Sequence, residues 1–324
     1  MIRSFDDPPE SNPGAFDPRS ILRSLERSLA AKSDAPSAQA QELYYEAMDA
    51  PSAAKQLKLL KQALELDPGN VDALLALLPH EPFALGEEIE CLQSLVQLAA
   101  RRLGPDAFQE FKGAFWGFHE TRPYMRARAR LAEVLRHAGR YDEAIAEWTA
   151  MLELNPHDNQ GLRYLLLPAL LRGNHLEAAR KLIAAYSGEV PYSVVFAWGQ
   201  VLERFLSEDL PGAVAALKVA RKQNPHMQVY LKGHREIPKT TPAAYAPGSK
   251  DEAICFAGGL RSAWAKHPAA LAWLAAQPGV TAPIASATSE RHIEDLAEAA
   301  KLKLDAESIE KLNAISAPKA ATRA

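Results

Sequence analysis

The sequence predicts an all-α protein, a solenoid of helical repeats with a short C-terminal tail of one strand and two helices. Apolar residues recur at helical spacing in segments of ten to eighteen residues between about residues 39 and 234. Gly, Pro and Asn separate these segments, and no run of strands interrupts them. One motif in this region returns with a period of 34 residues, which is typical of a repeat architecture.

The first predicted region is a mostly disordered leader, residues 1–38. It is rich in Pro, Ser and Asp, and such a composition buries too little apolar surface to fold alone. A single helical pattern interrupts it, formed by Ile21, Leu22, Leu25 and Leu29. We therefore expect one loosely docked helix inside an otherwise disordered segment.

The second region, residues 39–235, is predicted to be the repeat domain. Its clearest copy contains Gly139, Ala144, Trp148, Met151 and Pro156. The glycine is predicted to lie in a turn, the next three residues to pack against the neighbouring helix, and the proline to end the second helix. A shift of 34 residues gives Gly173, Ala178, Leu182 and Ala185; a later copy has Ala213, Leu217, Ala220 and Pro225; an earlier helix ending is 63-ALELDP-68. Each helix pair can bury its apolar face only against a neighbour, so we predict one stack with a concave groove. The alternative is an irregular bundle in which the spacing is a coincidence.

Three further segments are predicted after the repeats. They are a linker loop at 236–252, closing helices at 253–276 and a tail at 277–324. The stretch 278-PGVTAPIASATS-289 resembles a β-branched strand after a turn, and residues 290–316 have the pattern of two short amphipathic helices.

Three segments carry a more specific pattern: 114-AFWGFHETRPYMRARARLAEVLRHAGRYDEA-144, 155-NPHDNQGLRYLLLPALL-171 and 250-KDEAICFAGGLRSAWAKHPAALAWL-274. They resemble a family of bacterial tetratricopeptide repeat (TPR) proteins related to the suppression-of-tumorigenicity-7 proteins. The similarity extends from about residue 41 to 274. It implies a helical repeat scaffold of largely unassigned function and brings no catalytic residues with it.

The C-terminus carries a second pattern, 269-AALAWLAAQPGVTAPIASATSERHIEDLAEAAKLKLDAESIEKLNAISA-317. This stretch resembles the end of an aldo-keto reductase barrel, from the seventh helix through the eighth strand to the last helix. The resemblance implies contacts with the NADP adenosine phosphate at Ser286 to Ser289, Arg291, His292 and Asp295. A complete barrel needs about 250 residues and eight strands, and no Tyr, Lys, Asp and His set of that family is recognisable upstream. We therefore predict that the protein is not an enzyme and holds no cofactor.

Charge and composition narrow the classes of partner. A formal net charge of −3 does not suggest a nucleic-acid partner, and no apolar run reaches the ~18–20 residues of a membrane-spanning helix. Cys91 and Cys255 match no disulfide framework and no CxxC site, and Asp6 and Asp7 lie where a signal peptide would be apolar. We expect a cytoplasmic protein. The absence of HExxH, Walker, GxGxxG and GxSxG motifs predicts no metal, catalytic or cofactor residues.

The arginine-rich segment 122-RPYMRARARLAEVLRHAGR-140 is the main surface candidate. In TPR proteins the first helix of each repeat lines the groove, which implies a partner-binding set of Arg126, Arg130, Gln160, Arg163 and Tyr164. Guanidinium groups bond both oxygens of a carboxylate or phosphate, so a protein or peptide with acidic groups is the expected partner. In the alternative interpretation these arginines pair with Asp142, Glu143 and Glu147 of the neighbouring helix.

Two other surface features remain open from the sequence. One is an aromatic and charged segment made of Phe115, Trp116, Phe118, His119, Glu120 and Arg122. It is either a pocket or a helix-to-helix corner with aromatics in the core, and Pro123 favours the corner. The other is self-association through the convex face or through Trp264 and Trp273.

The leading functional prediction is therefore a non-catalytic, protein-binding or peptide-binding helical-repeat scaffold. The alternative is an NADP-linked aldo-keto reductase-type oxidoreductase or its inactive remnant.

Overall fold

The computed structural model describes residues 38–277 of the 324-residue chain. This part contains fourteen α-helices, three short 3-10 helices and no strand, which confirms the predicted all-helical character. The leader pattern at 21–29 and the predicted strand and helices of the tail lie outside the described residues. Two compact units divide the chain after Ala275. Within the described range, every helix is too short or too polar to cross a bilayer.

Five helices form the N-terminal part. They are α1 (Ala38–Met48), α2 (Ala53–Leu66), α3 (Val71–Leu77), α4 (Leu85–Leu103) and α5 (Pro105–Glu110). Ser52 and Asn70 cap α2 and α3 by accepting backbone N–H bonds from Lys55 and Ala73, which satisfies donors that the first helical turn leaves free. Helix α1 packs on α2 and α3, and α4 packs on α3 and α5.

Three helix pairs follow. They are α6 (Arg122–His137) with α7 (Tyr141–Leu154), α8 (Arg163–Arg172) with α9 (Leu176–Ala185), and α10 (Val194–Leu206) with α11 (Leu210–Gln223). From α6 to α10, each of these helices packs on the next in the chain, and α6 also packs on α3 and α4. Trp148 in α7 and Trp198 in α10 are completely buried at the centre of their pairs.

The turns inside the three pairs repeat one geometry. Gly139, Asn174 and Glu208 have positive φ angles of 75°, 59° and 61°, at separations of 35 and 34 residues. In each turn the following backbone N–H donates to a carbonyl five residues earlier, from Arg140, His175 and Asp209 to Leu135, Leu170 and Arg204. This arrangement satisfies carbonyl groups at the end of the first helix.

The repeat register differs from the sequence prediction in the second copy. Ala144, Ala179 and Ala213 are completely buried at matching positions, whereas the predicted Ala178 and Ala185 are exposed. Gly173 likewise precedes the residue that occupies the turn position, Asn174. One extra residue between the first two turns makes this separation 35, and the adjacent alanines 178 and 179 hid the shift.

The last described helices return to the earlier pairs. They are α12 (Met227–Leu231), α13 (Lys250–Trp264) and α14 (Pro268–Ala276). Helix α13 begins three residues before the predicted closing segment and packs on α8, α10 and α12. Trp264 is completely buried, so it is not available for self-association, and the Trp273 ring lies 5.2 Å from that of Phe205.

Candidate functional site

Arg126, the first residue of the predicted groove, forms an ion pair with a carboxylate of the same chain. Its Nε donates to Asp72 Oδ1 at 2.8 Å, and the Asp72 side chain is 0% exposed. Gln41 Nε2 donates to the second Asp72 oxygen at 2.9 Å. Burial by itself lowers the pKa of Arg126, but the hydrogen bond and negative charge of Asp72 raise it above the ordinary value. The Arg126 guanidinium therefore already has the carboxylate that a partner was expected to supply.

The other arginines of α6 also have partners on the protein. Arg130 donates to Glu88 of α4 at 2.7 Å. Arg128 pairs with Glu147 at 2.6 Å, and Arg140 pairs with Glu143. These two pairs agree with the alternative interpretation, in which the arginines pair with carboxylates of the neighbouring helix. Arg126 and Arg130, however, reach α3 and α4 and not α7.

The remaining predicted groove residues form a second, separate cluster. Arg163 bonds Asp158 at 2.8 Å and Glu189 at 2.9 Å, and its guanidinium lies 4.3 Å from the centre of the Tyr164 ring. The Tyr164 hydroxyl donates to Glu189 at 2.8 Å. Burial, together with this bond to Glu189, raises the pKa of Tyr164 to about 12. The buried Gln160 Oε1 accepts no hydrogen bond from the described residues.

Helix α13 covers this second cluster. The Tyr164 ring lies 5.8 Å from the ring of Phe256 in α13 and 6.0 Å from that of Phe196 in α10. The side of α8 that was expected to face a partner thus contacts a helix of the same chain. The three arginines of the predicted groove set are ion-paired within the protein, and the five residues do not form one open surface.

A cleft of about 560 Å³ lies in the N-terminal part, which we call the N-terminal cleft. Its polar lining includes Gln41 and Tyr45 of α1, Arg102 of α4, Asp106 and Glu110 of α5, and His119 and Glu120 before α6. Its apolar lining includes Leu103, Phe111, Pro123 and Tyr124. Apolar walls with a few polar groups are typical of binding sites.

In the N-terminal cleft the arginine has an ion-pair partner, whereas three carboxylates have none among the described residues. Arg102 donates to both oxygens of Asp67, at 2.7 and 3.1 Å. Asp106, Glu110 and Glu120 are exposed and form no ion pair with any residue between 38 and 277. The cleft therefore presents carboxylates that no cation of the described chain neutralises.

The aromatic and charged segment of the sequence contributes to both the core and this cleft. Phe115 is completely buried, and the Phe111 and Phe118 rings are 4.2 Å apart. His119 and Glu120 line the cleft. The two interpretations of this segment thus apply to different residues of it. Asp106 and Glu110 were not predicted, because single acidic residues on a short exposed helix carry no distinctive pattern.

Comparison with known protein families gives one match. Residues 264–317 match the model of the aldo/keto reductase family. This match confirms the predicted resemblance of the C-terminal segment to aldo-keto reductases, and it starts five residues before the predicted stretch. A search of curated proteins found no match.

The aldo/keto reductase match has only its first part among the described residues. This part holds α14, in which Ala270 and Leu274 are completely buried. The positions implied for NADP, from Ser286 to Asp295, lie outside the described residues.

We looked among the described residues for metal-ligand clusters and for reactive cysteines. Between residues 38 and 277, no group of three or more His, Cys, Asp and Glu side chains is placed to hold a metal ion. Burial raises the pKa of Cys91 to about 12, and burial with nearby Asp251 and Glu252 raises that of Cys255. Both thiols are therefore protonated at neutral pH, and a protonated thiol is a weak nucleophile.

Proposed function

We propose that this protein is a non-catalytic helical-repeat scaffold of the TPR type, and that it binds a peptide or protein segment in the N-terminal cleft. The observation that carries the proposal is the cleft of about 560 Å³, which combines apolar walls with carboxylates that no cation between residues 38 and 277 pairs with. The repeated turns at Gly139, Asn174 and Glu208 support the repeat assignment, as does the sequence resemblance to bacterial TPR proteins.

The charges of the cleft favour a basic partner segment. An acidic partner was expected because of the α6 arginines, but Arg126 and Arg130 already pair with Asp72 and Glu88. Three carboxylates at the rim form no ion pair with the described part of the chain, and a Lys or Arg side chain would complement them. The apolar walls suit an aromatic or aliphatic side chain of the same segment. We therefore propose a segment in which basic residues flank an apolar anchor.

Neutralising two rim carboxylates is expected to weaken such binding about fivefold to thirtyfold, because two exposed charge pairs contribute ~0.5–1 kcal/mol each. The test is selection of peptides from a random phage-displayed library against the full chain, followed by titration of the selected peptides. The variant is Asp106→Asn with Glu110→Gln. Selected peptides are expected to be basic, and their affinity is expected to fall as the salt concentration rises.

A matched control changes the same number of charges elsewhere. Asp142→Asn with Glu153→Gln alters two exposed carboxylates of α7 that do not line the cleft. Equal weakening in both variants, or selected peptides without basic residues, would contradict a basic partner in this cleft. Failure to select any peptide would contradict the proposed function itself.

The second candidate function is an NADP-linked oxidoreductase of the aldo-keto reductase type, or its inactive remnant. The match at residues 264–317 favours it. A complete barrel of that kind needs eight strands, and residues 38–277 contain none.

Titration of the full chain with NADPH, followed by nucleotide fluorescence, tests this candidate. We expect no saturable change for the scaffold. A saturable change that Arg291→Glu removes would instead support nucleotide binding at the tail, because that arginine is a position that the resemblance implies for the NADP phosphate.

A further inference from the structure

A second cleft, of about 280 Å³, lies between α8 and α13, and we call it the α8–α13 cleft. The ends of α6 and α7 also contribute to it, through Arg136 and Tyr141. It shares no lining residue with the N-terminal cleft. Its lining residues include two arginines and no carboxylate, so its charge is opposite to that of the first cleft.

Arg172 at the end of α8 is a half-buried cation that has no counter-charge among residues 38–277. Its Nη1 donates to the backbone carbonyl of Ser262 at 3.2 Å and to the Ser262 hydroxyl at 3.1 Å. Its guanidinium lies 4.3 Å from the centre of the Tyr141 ring. Among residues 38–277 no carboxylate comes within ion-pair distance of it. These contacts hold the guanidinium in place while its charge stays uncompensated.

Arg136 in α6 adds a second cation to the lining. Its Nη2 donates to Glu133 at 3.1 Å, but its Nε is buried and makes no hydrogen bond to a described residue. A buried donor without a partner costs about 1–3 kcal/mol. An oxyanion in the cleft is the kind of ligand that supplies acceptors to such donors.

We propose that the α8–α13 cleft binds a small molecule that carries a carboxylate or phosphate group. Arg172 provides the positive charge for the oxyanion, and Arg136, whose charge is paired with Glu133, provides a further N–H donor. The apolar wall, which includes Leu165, Pro168 and Phe256, contacts the apolar body of the ligand. The volume of about 280 Å³ suits a ligand the size of one substituted ring, near the lower end of typical small-molecule sites. This site is independent of the proposed peptide site.

Gly258 of α13 supplies the space in this cleft. A Cβ atom built on it meets no atom within 4 Å, whereas one on the neighbouring Gly259 contacts Pro168 at 3.7 Å. Helix α13 runs unbroken through both glycines. A leucine at position 258 therefore fills space in the cleft without a clash at its Cβ atom, and it favours the helix.

The experiment measures the thermal unfolding of the full chain at low salt with three probes of one shape: phenyl phosphate, benzoate and neutral benzyl alcohol. At about ten times Kd, a ligand is expected to raise Tm by about 2–4 °C. We expect this rise with one or both anions and none with benzyl alcohol. A response to phenyl phosphate alone identifies the ligand as a phosphate ester, and a response to benzoate alone identifies it as a carboxylate.

Two variants and one control complete the test. Arg172→Gln and Gly258→Leu are each expected to weaken anion binding at least tenfold, measured as the shift in the concentration that produces half of the Tm rise. Arg130→Gln removes an arginine outside the cleft and is expected to keep the wild-type response. The proposal is overturned by an absent anion response, by an equal response to benzyl alcohol, or by a wild-type response in Gly258→Leu, a variant that keeps both arginines.

Discussion

A Glu252→Ala variant is expected to lose about 3–5 kcal/mol of unfolding free energy. The Glu252 side chain in α13 is buried, and its carboxylate accepts hydrogen bonds from four uncharged donor groups. The donors are the backbone N–H groups of Val194 at 3.1 Å and Gly248 at 2.7 Å, and the side-chain amides of Asn224 at 2.9 Å and Gln223 at 3.1–3.2 Å. Each buried donor that loses its acceptor costs about 1–3 kcal/mol.

Urea unfolding followed by circular dichroism checks this expectation. Asp251→Ala is the matched control, because Asp251 is the exposed neighbour and its replacement is expected to change stability by less than about 0.5 kcal/mol. Equal stability of the two variants would show that Glu252 does not hold α10, α11 and α13 together.

The second large effect is expected at Asp72. Asp72→Ala removes the carboxylate that binds both Arg126 and Gln41, and it leaves the Arg126 charge mostly buried. Removing one partner of a buried ion pair costs about 3–5 kcal/mol. We expect about 2–4 kcal/mol here, because the Arg126 side chain keeps 26% of its exposure to solvent.

A double-mutant cycle measures this interaction. Asp72→Ala, Arg126→Gln and the combined variant are unfolded in urea, and the coupling energy is expected to exceed about 1 kcal/mol. The cycle at the more exposed pair of Arg130 and Glu88 is the control, with an expected coupling below about 1 kcal/mol. Equal coupling at the two pairs would contradict a structural role specific to Arg126.

Helical periodicity was sufficient to predict that residues 38–277 are helical. Ala144 and Trp148 are buried as the motif required. The register of the second copy was wrong because Ala178 and Ala179 satisfy the same pattern. Sequence spacing alone does not reveal one added residue between two turns.

The candidate sites were harder to predict, because their residues are distant in the chain. Asp72 and Arg126 are 54 positions apart, and no local pattern indicates that they bond. A lone aspartate in the apolar run 71-VDALLALL-78 signals a buried ion partner without identifying it. The sequence therefore identified Arg126 and Arg130 as candidate binding residues, but it did not reveal that they pair with carboxylates of the same chain. Arg172 was missed because its exceptional property is the absence of a carboxylate near it among residues 38–277.

The return of α13 to α8 also determines when the fold can be completed during synthesis. Arg172 and Ser262, which bond across this contact, are 90 positions apart. A ribosome that adds about 5–20 residues per second needs about 5–20 s to travel that distance. During this interval the apolar residues of α8 that α13 later covers, among them Pro168, remain open to chaperones. The apolar surface of α8 is therefore synthesised first and becomes covered only after α13 has been synthesised.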